Sequence, residues 1–154
     1  MENETTKKKR LALEIVNHLR ERGFQAYFVG GCVRDMLMRR APKDIDIATS
    51  ARTAQIKKVF PRASLVGARF GILLVVKEKI PFQVSAFRGK GNDIREDLSL
   101  RDFTINAMAY DPLTKEIIDP AGGKKDIRAK NIAAVGSPDA CFLADPLRLI
   151  RAVR

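Results

Sequence analysis

Apolar residues recur four apart at Leu11, Ile15 and Leu19, and Gly23 follows as a stop, so the pattern predicts a first helix over 8–22. From Ala26 to Val29 the apolar positions become continuous and end in Gly30-Gly31, the signature of a strand running into a tight turn. Residues 32–40 return to a helical pattern. Next, Asp44-Ile45-Asp46-Ile47 alternates polar with apolar, and on a strand this sends both isoleucines to one face and both carboxylates to the other. A short helix over 53–60 closed by Pro61 is expected, then strands over 64–66, 72–76 and 82–87, with turns at Gly71 and at Lys79-Ile80-Pro81. The stretch 88–95 has two glycines and no apolar period and reads as a mobile loop. Glu96-Asp97 opens a helical region running to about Ala109, 119–123 is a turn, 124–130 a short helix and 132–135 a last strand. From Asp139 the pattern is helical again, with Asp145-Pro146 in a first turn. Few strands interleaved with helices predict an α/β (α+β) fold, a small mixed sheet flanked by helices.

At 154 residues the chain has room for one sizeable core. It has no run of about 18 apolar residues. Its first residues, with Glu2, Glu4 and Lys7-Lys8-Lys9-Arg10, lack the apolar stretch of a signal peptide, so the expectation is a cytoplasmic protein without a membrane partner. Cys32 and Cys141 have neither metal-like spacing nor enough company for a disulfide framework, and both read as reduced and structural. His18, the only histidine, falls on the first helix and reads as a surface or packing residue. The formal charge is +11, and between Arg34 and Arg69 nine Lys/Arg face three acids, two of which are Asp44 and Asp46. The basic character therefore surrounds the acidic pair, as a polyanionic substrate requires, although a solvated basic surface would look the same.

The chemistry lies where the glycine turn and the acidic pair come together. A strand, a glycine turn and a helix start let backbone N–H groups approach an anion closely. Two aspartates separated by two residues of strand rise, about 6.6 Å at Cα, can hold a divalent metal jointly, with substrate phosphates completing the shell. With Arg34 adjacent, the reaction class becomes nucleotidyl transfer, in which a two-metal mechanism activates a 3′-hydroxyl and stabilises departing pyrophosphate. The aspartates are then ligands rather than general bases. Taken alone, Asp-x-Asp is equally a pair of exposed carboxylates.

Gly30-Gly31-Cys32-Val33-Arg34-Asp35, Asp44-Ile45-Asp46-Ile47-Ala48-Thr49, Arg101-Asp102-Phe103-Thr104-Ile105-Asn106-Ala107, Asp119-Pro120 with Gly122-Gly123, and the run from Asp145 to Arg154 resemble the bacterial-type (class II) tRNA nucleotidyltransferase and poly(A) polymerase family. The motifs span nearly the whole chain in the right order. The resemblance implies a DNA polymerase β-like palm over 1–138, the head domain, and the start of a helical neck over 139–154. It implies Asp44 and Asp46 as ligands of Mg2+, for which Mn2+ can substitute, and Gly30, Gly31 and Arg34 as holders of the incoming triphosphate. Arg101, Asp102 and Asn106 match the motif that handles the nucleotide, and Arg148 and Arg151 match arginines near the phosphates. For Asp102 the local alternative is a helix cap, over an apolar face of Phe103, Ala107 and Tyr110. For Arg148 and Arg151 the alternative is a solvated helix face.

Three departures from the family pattern matter. Gln83 stands where the family usually has a glutamate completing a carboxylate triad, and a neutral amide is a poorer metal ligand. The 88–95 loop is shorter than in relatives whose flexible loop helps to switch between nucleotides, which weakens full CCA addition. The chain stops at Arg154 inside a helical pattern with no cap, so a continuing protein, with neck, body and tail, is expected, or another copy covering the same surface. The resulting reading is template-independent addition of C and/or A, from CTP and ATP, to the 3′ end of RNA, most plausibly tRNA. Its alternatives are a poly(A) polymerase, a nucleotide- and RNA-binding head weakened by Gln83, and a basic structural domain in which the aspartates are incidental.

Overall fold

The computed structural model describes residues 3–66, 71–90 and 92–153. Helix α1 (Glu4–Arg20) starts four residues ahead of its prediction, because the Asn3 side chain accepts a hydrogen bond from the Thr6 N–H (2.7 Å) and caps it before the apolar period begins. Leu11, Ala12, Ile15, Val16 and Leu19 form its buried stripe, and Gly23, at φ 81°, ends the segment. Strand β1 (Ala26–Val29) runs through Gly30 into helix α2 (Gly31–Leu37), shorter than expected because Arg39 turns left-handed at φ 56°. Strand β2 (Asp46–Thr49) precedes helix α3 (Thr53–Val59), strand β3 (Ser64–Val66), strand β4 (Ile72–Lys77) and strand β5 (Ile80–Ala86).

The β4–β5 turn is tighter than predicted. Glu78 and Lys79 alone carry positive φ (47° and 67°), so Ile80 and Pro81 already belong to β5. Pro81 is tolerated because β2 pairs only with Val84–Ala86, leaving the proline outside that ladder. The expected long helix over 96–109 is replaced by three pieces. Helix α4 (Ile94–Ser99) stops early, Thr104–Asn106 makes one 3-10 turn, and strand β6 (Ala109–Tyr110) follows. Between them Phe103 is extended (φ −117°, ψ 146°) and bridges Ala134, with Thr104 N–H donating to the Ala133 carbonyl and Val135 N–H to that of Asp102, both at 2.9 Å. Those bonds occupy the backbone groups a helix would use, and they make 132–135 an isolated bridge instead of a sheet strand. Strand β7 (Ile117–Ile118), helix α5 (Gly123–Ala129), helix α6 (Pro138–Ala144) and helix α7 (Leu147–Val153) complete the order. The two-residue β6 and β7 are too short to leave a periodicity in the sequence.

Among the described residues the strands form one mixed sheet in the order β3-β4-β5-β2-β1-β6-β7, with β2–β5 its parallel pair. Its two faces follow the strand period. Ala26, Phe28, Ile47, Leu73, Val75, Phe82 and Val84 enter the main core with the buried faces of α1, α2 and α3. Val29, Ala48 and Ala109 point the other way and meet Ile94 and Leu98 of the short α4, with the half-buried Tyr27, Phe87 and Ile118 packed against them. This second face, half uncovered, is where β2 and β5 also carry polar residues.

Gly123 is fixed by close packing. A Cβ there would overlap the Thr104 carbonyl oxygen and crowd the Met108 sulfur (3.0 Å), because α5 lies directly on the 3-10 turn. Gly123→Ala is expected to destabilise the fold by about 3 kcal/mol, the upper end of overpacking costs, read as an earlier midpoint in urea unfolding. Gly122→Ala, where nothing stands within 4 Å, loses only the left-handed preference of its φ of 78°, about 1 kcal/mol.

Candidate active site

Gly30 sits at φ 77°, ψ −137°, a region that only glycine enters without strain. Its N–H donates to the Met108 carbonyl (3.1 Å), and its own carbonyl accepts from Val33 and Arg34 (3.0 and 3.3 Å). A Cβ on Gly30 would meet the Arg101 Nη1 at 3.3 Å, so the guanidinium lies directly over the turn. The first N–H groups of α2, which no intrahelical carbonyl can accept, begin one residue later. Because Val29 pairs with Asp46, the turn abuts the acidic strand.

Asp46 opens β2, while Asp44 lies just ahead of the ladder, so the pair does not share a strand as predicted. The expected alternation nonetheless holds: Ile45 and Ile47 are buried and Asp44 is exposed. Burial pushes the Asp46 carboxyl up from its ordinary range, Arg101 opposes the shift, and the neighbouring Asp44 charge adds to it. β2 and β5 run parallel with Ile47 opposite Val84, and one step back along that register sets Gln83 beside Asp46 on the same face. Two carboxylates and an amide carbonyl are hard oxygen donors, the set that suits Mg2+. Among the described residues no group of three or more His, Cys, Asp or Glu is placed to hold a metal.

The remaining site residues meet through arginines. Arg34 donates from Nη1 to the Asn106 Oδ1 (2.8 Å) and from Nε and Nη2 to the Asp35 Oδ1 (3.0 and 2.8 Å), bridging α2 to the 3-10 turn. Gly30, Gly31, Arg34, Asp46, Arg101 and Asn106 are thus brought together. Asp102, Arg148 and Arg151 form an adjoining set. The Asp102 Oδ1 accepts from the Phe103 N–H (2.8 Å) and its Oδ2 faces the Arg151 Nε at 3.3 Å, so Asp102 caps no helix and Phe103, Ala107 and Tyr110 form no helical face. Arg151 also reaches the Asp145 Oδ2 at 2.9 Å. Arg148 Nη1 donates to the Cys141 carbonyl at 3.4 Å, and its buried Nε has no partner among the described residues.

Two residues that sequence reasoning missed hold these sets together. Asp97 is fully buried, and its carboxylate accepts from Arg101 Nε (2.9 Å), pairs with Arg101 Nη2 (2.9 Å) and accepts from the Arg88 N–H (3.0 Å). Arg88 is the meeting point: burial and Arg101 push its pKa down, while Asp97 and Asp102 push it up. The i,i+4 spacing of Asp97 and Arg101 was the available signal. The 88–95 loop is correspondingly tied at Arg88 and at Lys90, whose N–H donates to Glu96 (3.0 Å), and Gly91 lies outside the described residues.

Cys32 and His18 stay outside the chemistry. The Cys32 thiol is pushed up to about 12 by burial and by Asp46, so it stays protonated, and Cys141 is likewise buried and free. His18 is exposed on α1 against the Phe60 ring.

Known proteins share the sequence and the fold of this chain. The CCA-adding enzyme of Geobacillus kaustophilus is 42% identical over 157 aligned residues, covering 93% of this chain and 39% of the relative. The CC-adding tRNA nucleotidyltransferase of Halalkalibacterium halodurans is 46% identical over 142, covering 92% of this chain and 37% of the relative. The crystal structure of the Bacillus stearothermophilus CCA-adding enzyme in complex with CTP superposes with a TM-score of 0.87 at 40% identity, covering 98% of this chain and 38% of that one. The sheet thus has the DNA polymerase β-like arrangement, and the chain spans about two fifths of the length of the curated relatives it matches. The family described as "Poly A polymerase head domain" matches residues 26–133, and on that match the chain belongs to this family of bacterial-type (class II) RNA nucleotidyltransferases.

Proposed function

We propose that the chain is the catalytic head of a cytoplasmic enzyme that adds C and/or A from CTP and ATP to the 3′ end of tRNA without a template, releasing pyrophosphate. The observation that carries this reading is the meeting of the Gly30 turn, Asp46 and Arg101 at one sheet edge. Asp44 and Asp46 would hold Mg2+, which when bound supplies Lewis-acid stabilisation of the phosphate oxygens. Gly30 and Gly31 let the backbone approach the triphosphate, with Arg34 and Arg101 placing positive charge beside it. Asn106 fixes Arg34, and Asp102 fixes Arg151 next to Arg148, so both arginines stand ready for phosphate or base. We take 1–138 as the head and 139–154 as the start of the neck, where α6 and α7 leave Leu143, Leu147, Ile150 and Val153 exposed.

CCA-adding and CC-adding enzymes both resemble this chain, and we read the short 88–95 loop as favouring C addition. The CCA-adding relative needs more aligned positions than the CC-adding one to cover the same share of this chain, so it carries residues that both others lack. Gln83 supports the weakened reading as far as rate is concerned, since it leaves the site one negative charge short.

Extension of a labelled tRNA lacking its CCA, with Mg2+ and each nucleoside triphosphate alone, tests both points. CTP should be incorporated in preference to the others, and Gln83→Glu should raise the rate roughly tenfold, about 1.4 kcal/mol of transition-state stabilisation. If neither the chain nor Gln83→Glu extends the RNA, the polymerase reading of this head is wrong and nucleotide binding is all it does.

A further inference from the structure

On the sheet face opposite Asp46, a cavity of about 440 Å³ lies between α1, the C-terminal end of α2 and the β6–β7 hairpin. Lys9, Arg39 and Arg40 supply its cations, Met36, Tyr110 and Ile117 its apolar wall, and no acid lines it. In the run Lys7-Lys8-Lys9-Arg10, Lys7 pairs with Glu78 (2.8 Å), Lys8 with Glu4 (2.9 Å) and Arg10 with Glu14 (2.8 Å). Lys9 turns to the cavity instead. Among the described residues the side chains of Lys9, Arg39 and Arg40 make no ion pair or hydrogen bond, unlike Arg34, Arg101 and Arg151 at the active site. Three exposed, unpaired cations around one cavity set up a local positive field that attracts an occupant with several negative charges.

The cavity falls in the size range of small-ligand pockets, roughly 300–1,000 Å³, larger than a single anion needs. Its mixed lining suits a nucleotide unit, with phosphate on the cations and ribose or base on Tyr110 and Met36. The seven residues of α2 separate it from the glycine turn by about 10 Å. A strand whose 3′ end lies at Asp46 therefore reaches it by passing round the sheet edge that carries the glycine turn, several nucleotides upstream, whereas a free nucleotide in the active site does not. We propose that this cavity is an exosite for the sugar–phosphate backbone of the acceptor RNA, gripped by Lys9, Arg39 and Arg40. The inference rests on the RNA-extending reading above.

The test is fluorescence anisotropy of a labelled tRNA lacking its CCA, titrated with the chain at several salt concentrations, beside separate binding of CTP with Mg2+. Lys9→Ala/Arg39→Ala/Arg40→Ala should weaken RNA binding at least tenfold. The slope of log affinity against log salt should become shallower by about 2, at roughly 0.7 per single-strand phosphate contact. CTP binding should not change. The control Lys7→Ala/Lys8→Ala/Arg10→Ala removes three equal charges that are already paired, and should cost much less. Circular dichroism checks the fold, and Lys9→Gln/Arg39→Gly/Arg40→Gln, with glycine at the left-handed position, replaces the first variant if that one unfolds. Unchanged affinity and slope, an equal loss in the control, or no RNA binding by the parent chain each overturns the exosite. Failure of the parent to bind CTP while the RNA results hold overturns the catalytic reading and leaves the exosite standing.

Discussion

Asp46→Asn should lower nucleotide incorporation by about 10³-fold or more while making the metal-free protein harder to unfold. Outer-shell partners of a metal site typically cost 10- to 100-fold when removed, and a direct carboxylate ligand must cost more than they do. The stability half of the prediction follows from where the carboxylate sits. Burial raises the Asp46 pKa in the folded state, with Asp44 adding and Arg101 only partly opposing. A carboxyl whose folded pKa lies above its unfolded value costs the fold nothing while protonated in both states, below the unfolded pKa. It costs the full amount once pH has risen through the folded pKa. At neutral pH the charged side chain therefore works against folding, and the amide removes that penalty at nearly constant shape. Thermal unfolding in EDTA should show a higher midpoint for Asp46→Asn than for the parent, and added Mg2+ should raise the parent's midpoint and not the variant's. An Asp46→Asn protein that keeps its incorporation rate would remove the metal role, and one that is less stable without metal would remove the electrostatic account.

The glycine turn and the Asp-x-Asp segment were legible because their conformation depends on local sequence. Gly30 must reach a glycine-only backbone region, and the alternation of Ile45 and Ile47 with the aspartates survives even though Asp44 precedes the ladder. The sheet's central strands were legible for the same reason, each carrying a run of buried residues long enough to show its period. Residues 96–110 were misread because their conformation is decided from outside. Phe103 takes its extended shape from Ala134, some thirty positions away, and Gly123 packs on Thr104 from a helix about twenty positions on. Local propensity favours a helix there, and long-range pairing overrides it. The same limit hid Asp97. An acid beside Glu96 in a helical first turn reads as an ordinary cap-region charge, and only the fold shows that Asp97 is buried while Glu96 is not.

Asp97→Asn should be the most damaging single change outside the Asp44–Asp46 pair. Asp97 takes Arg101 through two nitrogens and the Arg88 N–H through its other oxygen. An amide keeps one acceptor oxygen and no charge, so Arg101, whose side chain is only 12% exposed, is left without its counter-ion beside Arg88. Breaking a buried pair from one side costs about 3–5 kcal/mol, which should appear directly in urea unfolding. Removing the pair from both sides separates structure from function. Asp97→Asn/Arg101→Leu removes both buried charges while the Asn oxygen still accepts from the Arg88 N–H, and dissolving a buried pair from both sides is often neutral or stabilising, so much of the lost stability should return. Nucleotide use should not return, because Arg101 is the guanidinium over Gly30 and beside Asp46. The loss should appear mainly as a higher KM for the triphosphate if Arg101 binds ground-state phosphates, and mainly as a lower kcat if it meets charge that develops in the transition state. A double variant that regains both stability and incorporation would reduce the pair to a structural strut, and would leave Arg34, held by Asn106 and Asp35, as the arginine on the phosphates.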